Sequence, residues 1–585
     1  MMDTMEISRV SGPIPASTEG PHLGLRARRL FSVQGQDPFD CVRWSKRDAL
    51  ISDEHGGVVF TLKDVEAPAR WSDMAVNVVA SRYFRGGPTD KERETGVREV
   101  VLRVVNTLRG WARELGIFAS EDDIEVFGDE LVVMLLEQRA SFNSPVWFNM
   151  GVDEKPQCSA CFILKVEDAM ESILDWYRQE GLIFKGGSGA GVNLSKLRSG
   201  REPLAGGGTA SGPVSFMKAA DASAGVIKSG GKTRRAAKMV VLDADHPDIR
   251  MFIRSKVEEE RKARALIRAG YGAEFGGEAY SSVAFQNANH AVRVTDDFMT
   301  AEAEGDAWRT RFVLSGEIAD EFPARDLLEE AAIAAHACGD PGLQFATTIN
   351  QAHTCPRSGL IRSSNPCSEY LGVDNSACNL GSLRLTAFGT DDGFDVEGFR
   401  HAVDIMITAQ EIIVDKAAYP NSEIGSNSRA LRPLGLGYAD LGALLMGFGL
   451  PYDSDEARAW AALITAVMTG QAYLHSAILA SVLGPFPEFE KNGEDMLRVV
   501  AMHRDAAAGI AYDDLPSGSA SVVRDLWDEV YEKGRKHGFR NSQVTVLAPT
   551  GTVGFMMDCD TTGVEPEMAL VKYKSLSGGG SVRMV

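Results

Sequence analysis

Cysteine is scarce here: eight residues in a chain of 585, too few and too scattered for a disulfide scaffold. That points to a reducing compartment, the cytoplasm, where a working disulfide is transient and catalytic. Positive charge is also short. Lys and Arg number 61 against 81 Asp and Glu, for a net charge of −20 and an isoelectric point near 5.1. Such a surface excludes broad contact with nucleic acid or an anionic membrane, so an anionic substrate would need a local pocket. No apolar segment follows a basic start, so no secretion signal is expected. The longest run without charge, Ala459 to Pro487, is diluted by Gly470, Gln471, His475, Ser476 and two prolines, and reads as a buried helix pair rather than a membrane span. No internal repeat is visible. Several near-motifs fail. Gly225 to Thr233 has Val226 where a phosphate-binding loop needs glycine, and 187–191 lacks the third glycine of a dinucleotide fingerprint. Cys158 and Cys161 form a C-x-x-C with no second pair nearby, so no protein-held metal is expected.

What is present is an ordinary globular balance, 44% apolar and 24% charged. Residues 1–35 read as a mobile tail rich in Ser, Gly, Pro and Arg. Residues 36–70 read as a small unit of short strands, with a turn at His55-Gly56-Gly57. Helical spacing of Val97, Val101, Val104, Val105 and Leu108 makes 71–140 an N-terminal helical domain. From 141 to 585, glycine-rich patches separate apolar segments. Helices are expected at 326–338, 399–417, 455–483 and 521–536, with a strand candidate at Val544–Leu547. The alternation predicts an α/β sheet or barrel. The charge-dense stretch 257–266 reads as a solvated helix face.

The most informative stretch is Asn365-Pro366-Cys367-Ser368-Glu369, followed by Ala377-Cys378-Asn379-Leu380. Asn365, Cys367 and Glu369 stand at i, i+2 and i+4, so an extended backbone would aim all three one way. Pro366 opposes helix at this point. A carboxylate beside a thiol keeps the thiol protonated. A protonated S–H suits hydrogen-atom chemistry, whereas acyl transfer needs a thiolate. The motif hints at radical work.

These residues, with Ser141 to Asn149, Ser159-Ala160-Cys161, Gly187 to Asn193, Ser229 to Arg235 and Ala548 to Gly554, occur in the order found in one family. The chain resembles the large catalytic subunit of ribonucleotide reductases, most closely the adenosylcobalamin-dependent (class II) form. The resemblance runs from about Asp37 to Gly580.

The resemblance implies a ten-stranded α/β barrel with a finger loop through its centre. Cys367 would be the transient thiyl radical at the loop tip, flanked by Asn365 and Glu369, with Cys161 and Cys378 as the redox-active disulfide pair. Substrate contacts would fall at Ser144, Ala160, Cys161, Gly189, Asn365 to Glu369 (Pro366 and Ser368 included), and Pro549, Thr550, Gly551, Thr552 and Val553. Lys232, Thr233, Arg234 and Arg235 match the specificity loop that links an effector dNTP to base choice. Cobalt would come with the cofactor, and Asp243-Ala244-Asp245-His246 is not the motif of base-off cobalamin proteins. The implied partners are a ribonucleotide, a dNTP effector, a thioredoxin- or glutaredoxin-type reductant and a second copy of the chain, with neither nucleic acid nor membrane. After Gly580 the resemblance stops, so the barrel is expected to be incomplete at its C-terminus, with a second polypeptide as a partner that could complete it. Two alternatives stay open: a large subunit served by a separate radical-generating subunit, and a non-catalytic nucleotide-binding fragment.

Overall fold

The computed structural model describes residues 24–52, 57–87, 90, 92–227, 236–274, 277–391, 393–575 and 581–584. They divide into two units, one of residues up to Ala160 with Cys378–Tyr419 and Gly425 onward, the other of Cys161–Ala377 with Pro420–Ile424.

In the first unit, the strands Trp44–Ser52 and Val58–Pro68 pair as an antiparallel hairpin. The expected turn at His55-Gly56 lies outside the described residues. The helix Val97–Leu115 buries Val97, Val101, Val104, Val105 and Leu108 as one stripe. It stops at Gly116, whose left-handed φ of 62° suits glycine. The next helix, Glu121–Leu136, is capped by the Ser120 hydroxyl accepting from Asp123 N, and its first turn carries Glu121, Asp122 and Asp123 at the positive end of the helix dipole. Helices Val396–Lys416, Asp455–Leu483, Phe489–Ala508 and Ser519–His537 supply most of the remaining apolar surface. Three strands run among them: Ser376–Arg384 pairs antiparallel with Ala140–Phe142 and parallel with Leu434–Ala439.

The long uncharged run is one helix, Asp455–Leu483, not a pair. Gly470 does not break it because Leu526 and Trp527 of the Ser519–His537 helix pack over that point; a Cβ there would lie 2.9 Å from Leu526 Cδ2. Among the described residues it is the one helix long and apolar enough to cross a membrane, and 83% of its apolar window is buried in the fold. The segment 544–547 is not a full strand. Thr545 bridges Leu436, and Val546 N donates to Leu436 O at 3.0 Å, before Pro549 and left-handed Thr550 (φ 62°) turn the chain away.

The second unit is a parallel sheet in the order Gly342–Phe345, Ala288–Val294, Lys238–Asp243, Gly189–Asn193, Cys161–Leu164. Parallel neighbours need crossovers. Helices Met170–Lys185, Gly212–Val226, Ile249–Arg268 and Ala324–Cys338 lie in those connections. The Ile249–Arg268 helix is not wholly a solvated face where it is charge-dense: Glu259 is buried and accepts from Ala284 N at 3.0 Å. Over 187–191 the chain turns only at the start. Gly187 (φ 90°) ends the Met170–Lys185 helix, with its N–H on Phe184 O, and Gly189–Asn193 is already strand. The architecture is α/β.

Candidate active site

Within the second unit, strands Ile361–Ser364 and Leu371–Val373 form an antiparallel hairpin whose connecting turn carries Asn365 to Glu369. The extended backbone expected there is absent. Ser368 N donates to Asn365 O (3.1 Å), Asn365 N donates to Tyr370 O (3.2 Å), and Ser368 takes a left-handed φ of 64°. Pro366 stands at the second position of this turn, where its ring pre-sets the required φ of about −65°. A left-handed serine costs roughly 1 kcal/mol or more and persists only where its surroundings hold it. The turn separates the three residues. Asn365 is 2% exposed, Glu369 is half-buried, and Cys367 stands exposed at the tip.

Asn365 and Glu369 converge instead on Cys161, the first residue of the neighbouring strand Cys161–Leu164. Asn365 Nδ2 donates to Cys161 Sγ at 3.1 Å, and the Cys161 thiol donates to Glu369 Oε1 at 3.7 Å. Asn365 Oδ1 accepts from Tyr370 N at 3.0 Å, which fixes the amide's orientation. Burial pushes the Glu369 carboxyl above its ordinary value, and the polar contacts around it do not reverse that. Its Oε2 is buried without a hydrogen-bond partner. A carboxyl with one oxygen on a thiol and the other unoccupied is ready to exchange a proton with a bound hydroxyl.

The hairpin lies against the parallel strands at distances only glycine permits. A Cβ on Gly189 would lie 2.8 Å from Pro366 Cγ, and one on Gly191 would overlap the Ser364 carbonyl oxygen. Side chains from the same strands bind the hairpin's backbone. Asn193 Nδ2 donates to Arg362 O (2.9 Å), Arg293 to Ile361 O (2.9 Å), and Asn289 Nδ2 to Pro366 O (2.8 Å). Reading the sequence alone singled out none of these for a role except Gly189. A signal was available: Asn289 and Arg293 are polar on one face of a strand, Ala288–Val294, that a buried parallel sheet would fill with apolar residues.

The other expected residues belong to the first unit. Ser144 Oγ and Tyr83 OH are hydrogen-bonded at 3.0 Å. Ala160 N donates to Cys378 O at 3.0 Å. The buried Cys378 thiol donates to Asn379 O at 3.4 Å, and a Cβ on Gly435 would come within 3.0 Å of its sulfur. Thr550, left-handed like Ser368, has a buried hydroxyl without a hydrogen-bond partner, next to Gly551 and the short helix Thr552–Met556. Cys158 is buried and donates to Pro156 O at 3.7 Å; burial raises its thiol pKa far above the usual range. Lys232 to Arg235 lie outside the described residues.

The second unit is thus an α/β sheet holding a cysteine-tipped hairpin, with an amide and a carboxyl meeting a second thiol. Residues 159–585 match the profile of the ribonucleotide reductase barrel domain, and the chain belongs to the ribonucleotide reductase family. Residues 45–138 match the profile described as class II vitamin B12-dependent ribonucleotide reductase. The chain is similar to the vitamin B12-dependent ribonucleotide reductase of Streptomyces clavuligerus, 52% identical over 98% of this chain and 61% of that protein. The protein of that name from Rhodopirellula baltica is 49% identical over 97% of this chain and 58% of its own length. The vitamin B12-dependent ribonucleoside-diphosphate reductase of Mycobacterium tuberculosis is 33% identical over 74% of this chain and 54% of its own length. The chain spans about three fifths of the length of the first of these relatives.

Proposed function

We propose that this chain carries the radical reduction of ribonucleotides to 2′-deoxyribonucleotides, with ribonucleoside diphosphates as the substrate class. The observation that carries this reading is the convergence of Asn365 and Glu369 on Cys161 beneath a turn that leaves Cys367 exposed. Cys367 takes the 3′ hydrogen atom of the bound ribose as a thiyl and returns one at the end. Glu369, with one carboxyl oxygen unoccupied, accepts the 3′ hydroxyl proton. The 2′ hydroxyl leaves as water on taking a thiol proton. Cys161 and Cys378 supply the two electrons and close as a disulfide. Asn365, tied to Tyr370 N, orients the sugar without adding charge. Gly189, Pro366 and Ser368 of the second unit, and Ser144, Ala160 and Pro549 to Val553 of the first, are the proposed substrate contacts, with the unpartnered Thr550 hydroxyl a donor to phosphate.

Adenosylcobalamin is the cofactor that the class II profile over residues 45–138 supports, in preference to a separate radical-generating subunit. The site residue it requires is a thiol reachable by a large group, and Cys367 is exposed. When bound, the cofactor supplies the bond homolysis by which the Cys367 S–H gives up its hydrogen atom. A dNTP effector acting through Lys232 to Arg235, a thioredoxin- or glutaredoxin-type reductant, a second copy of the chain and a cytoplasmic setting belong to the same proposal.

The test is turnover. The protein is given a ribonucleoside diphosphate and dithiothreitol, with or without adenosylcobalamin. Deoxyribonucleotide formed only with the cofactor supports the proposal. Formation without it, or nucleotide binding with no turnover in any mixture, overturns it.

A further inference from the structure

The turn that carries Cys367 is held at two points by side chains the chemistry itself does not use. The first is Asn289, on the sheet strand Ala288–Val294, whose Nδ2 donates to the Pro366 carbonyl at 2.8 Å. That carbonyl belongs to the peptide joining Pro366 to Cys367, so the bond fixes the plane from which the reactive residue projects. The Pro366 ring itself sits against Gly189, where no Cβ could stand. The second point is Gln344, on the adjoining strand Gly342–Phe345. It is 6% exposed and donates from Nε2 to Ser364 Oγ at 2.8 Å. Ser364 Oγ lies 2.9 Å from Asn365 O and 3.1 Å from Ser368 Oγ. Those contacts fall before and after Cys367 in the chain, at Asn365 and at the left-handed Ser368, whose conformation needs such support.

We propose that Asn289 and Gln344 are positioning residues, a two-point clamp that sets the Cys367 sulfur on the substrate's 3′ carbon. This rests on the reductase reading for its role in turnover, though not for its effect on the turn. Hydrogen-atom transfer between a sulfur and a carbon demands near-contact geometry, and a displacement of about 1 Å costs on the order of a hundredfold in rate. The amide donor is what Asn289 contributes. Aspartate has the same shape and, ionised, offers the Pro366 carbonyl only a repelling oxygen. Asn289 is itself exposed, so Asn289→Asp leaves no buried charge and the protein folds. Gln344→Leu, which frees Ser364 Oγ, is the companion variant at the second point.

The experiment has two readouts on the full protein. The first needs neither cofactor nor substrate: the rate of Cys367 alkylation by iodoacetamide, followed by peptide mass spectrometry against exposed Cys41 as internal reference. Release of the turn is expected to change the Cys367 rate by about threefold or more in each variant while Cys41 keeps its rate. The second is deoxyribonucleotide formation, where each variant is expected to lose about tenfold or more in kcat with KM held within about twofold. An unchanged Cys367 alkylation rate overturns the clamp. So does a changed rate with kcat intact, since the turn then moves without consequence for the reaction. Absence of turnover in the unmutated protein counts against the reductase reading and leaves the alkylation comparison to decide the clamp by itself.

Discussion

Glu369 is where stability and the proposed chemistry pull against each other. Its carboxyl is pushed up by burial, with one oxygen lacking a partner. A carboxyl whose folded pKa lies above its unfolded value, about 4.3 for Glu, binds its proton more tightly when folded. Folding is therefore free of this charge's cost below about pH 4.3. Stability falls as pH rises towards the folded pKa, and the penalty is fully present above it. Glu369→Gln removes the charge and keeps the shape. The thermal midpoint of the variant at pH 7 should exceed that of the unmutated protein, while kcat drops by about 10² to 10⁴. Melting curves and turnover assays on the two proteins decide it, and a lower midpoint with activity retained would sink the assignment. The same shift places the acidic limb of the rate profile above the ordinary carboxylate value, provided Glu369 works as a base.

The hairpin Ile361–Val373 depends on how closely it lies against the sheet. At Gly191 any side chain would overlap the Ser364 carbonyl oxygen, a backbone atom that cannot swing aside. Gly191→Ala is expected to cost about 3 kcal/mol in urea unfolding, the range of overpacked or strained sites. Gly447, which closes the short helix Leu441–Gly447 and has open space where a Cβ would sit, serves as the comparison; Gly447→Ala should stay within about 1 kcal/mol. Equal costs at the two positions would contradict the close approach. This scale also marks what could be read from sequence. The helices over 324–338, 396–416, 455–483 and 519–537 match the expected spans within a few residues; 324–338 and 519–537 each bury one face, whereas 396–416 is buried all round from Ile405 to Val414. The set Asn365, Cys367, Glu369 stood out in the sequence, but its shape did not. A period-two pattern implies a strand, whereas the chain makes a turn held by Ser364, Gln344 and Asn289, partners distant in sequence that leave no local trace. Gly470 only dilutes the uncharged run in the sequence, yet it lies inside one helix with Leu526 of another packed over it.

Across the whole molecule, an excess of acidic residues makes the response to acid informative. Glu130 is buried in the first unit. Although burial pushes its pKa up, hydrogen bonds from His401, from the Ser32 hydroxyl and from the N–H groups of Phe31 and Ser32 outweigh that and hold it at about 2. Its contribution to stability is present above the unfolded value of about 4.3 and is lost as pH falls towards 2. Glu130→Gln should therefore lose stability at pH 7 and narrow its deficit below pH 4, measured by urea unfolding at each pH; a deficit constant across that range would contradict the pairing. The central claim concerns Cys367. It is tested most directly by comparing Cys367→Ser with Cys158→Ser in deoxyribonucleotide formation, with adenosylcobalamin and dithiothreitol present. Serine keeps the shape and removes the weak S–H bond, so the account predicts no product from Cys367→Ser and near-normal turnover from Cys158→Ser. Turnover that survives in Cys367→Ser would contradict it.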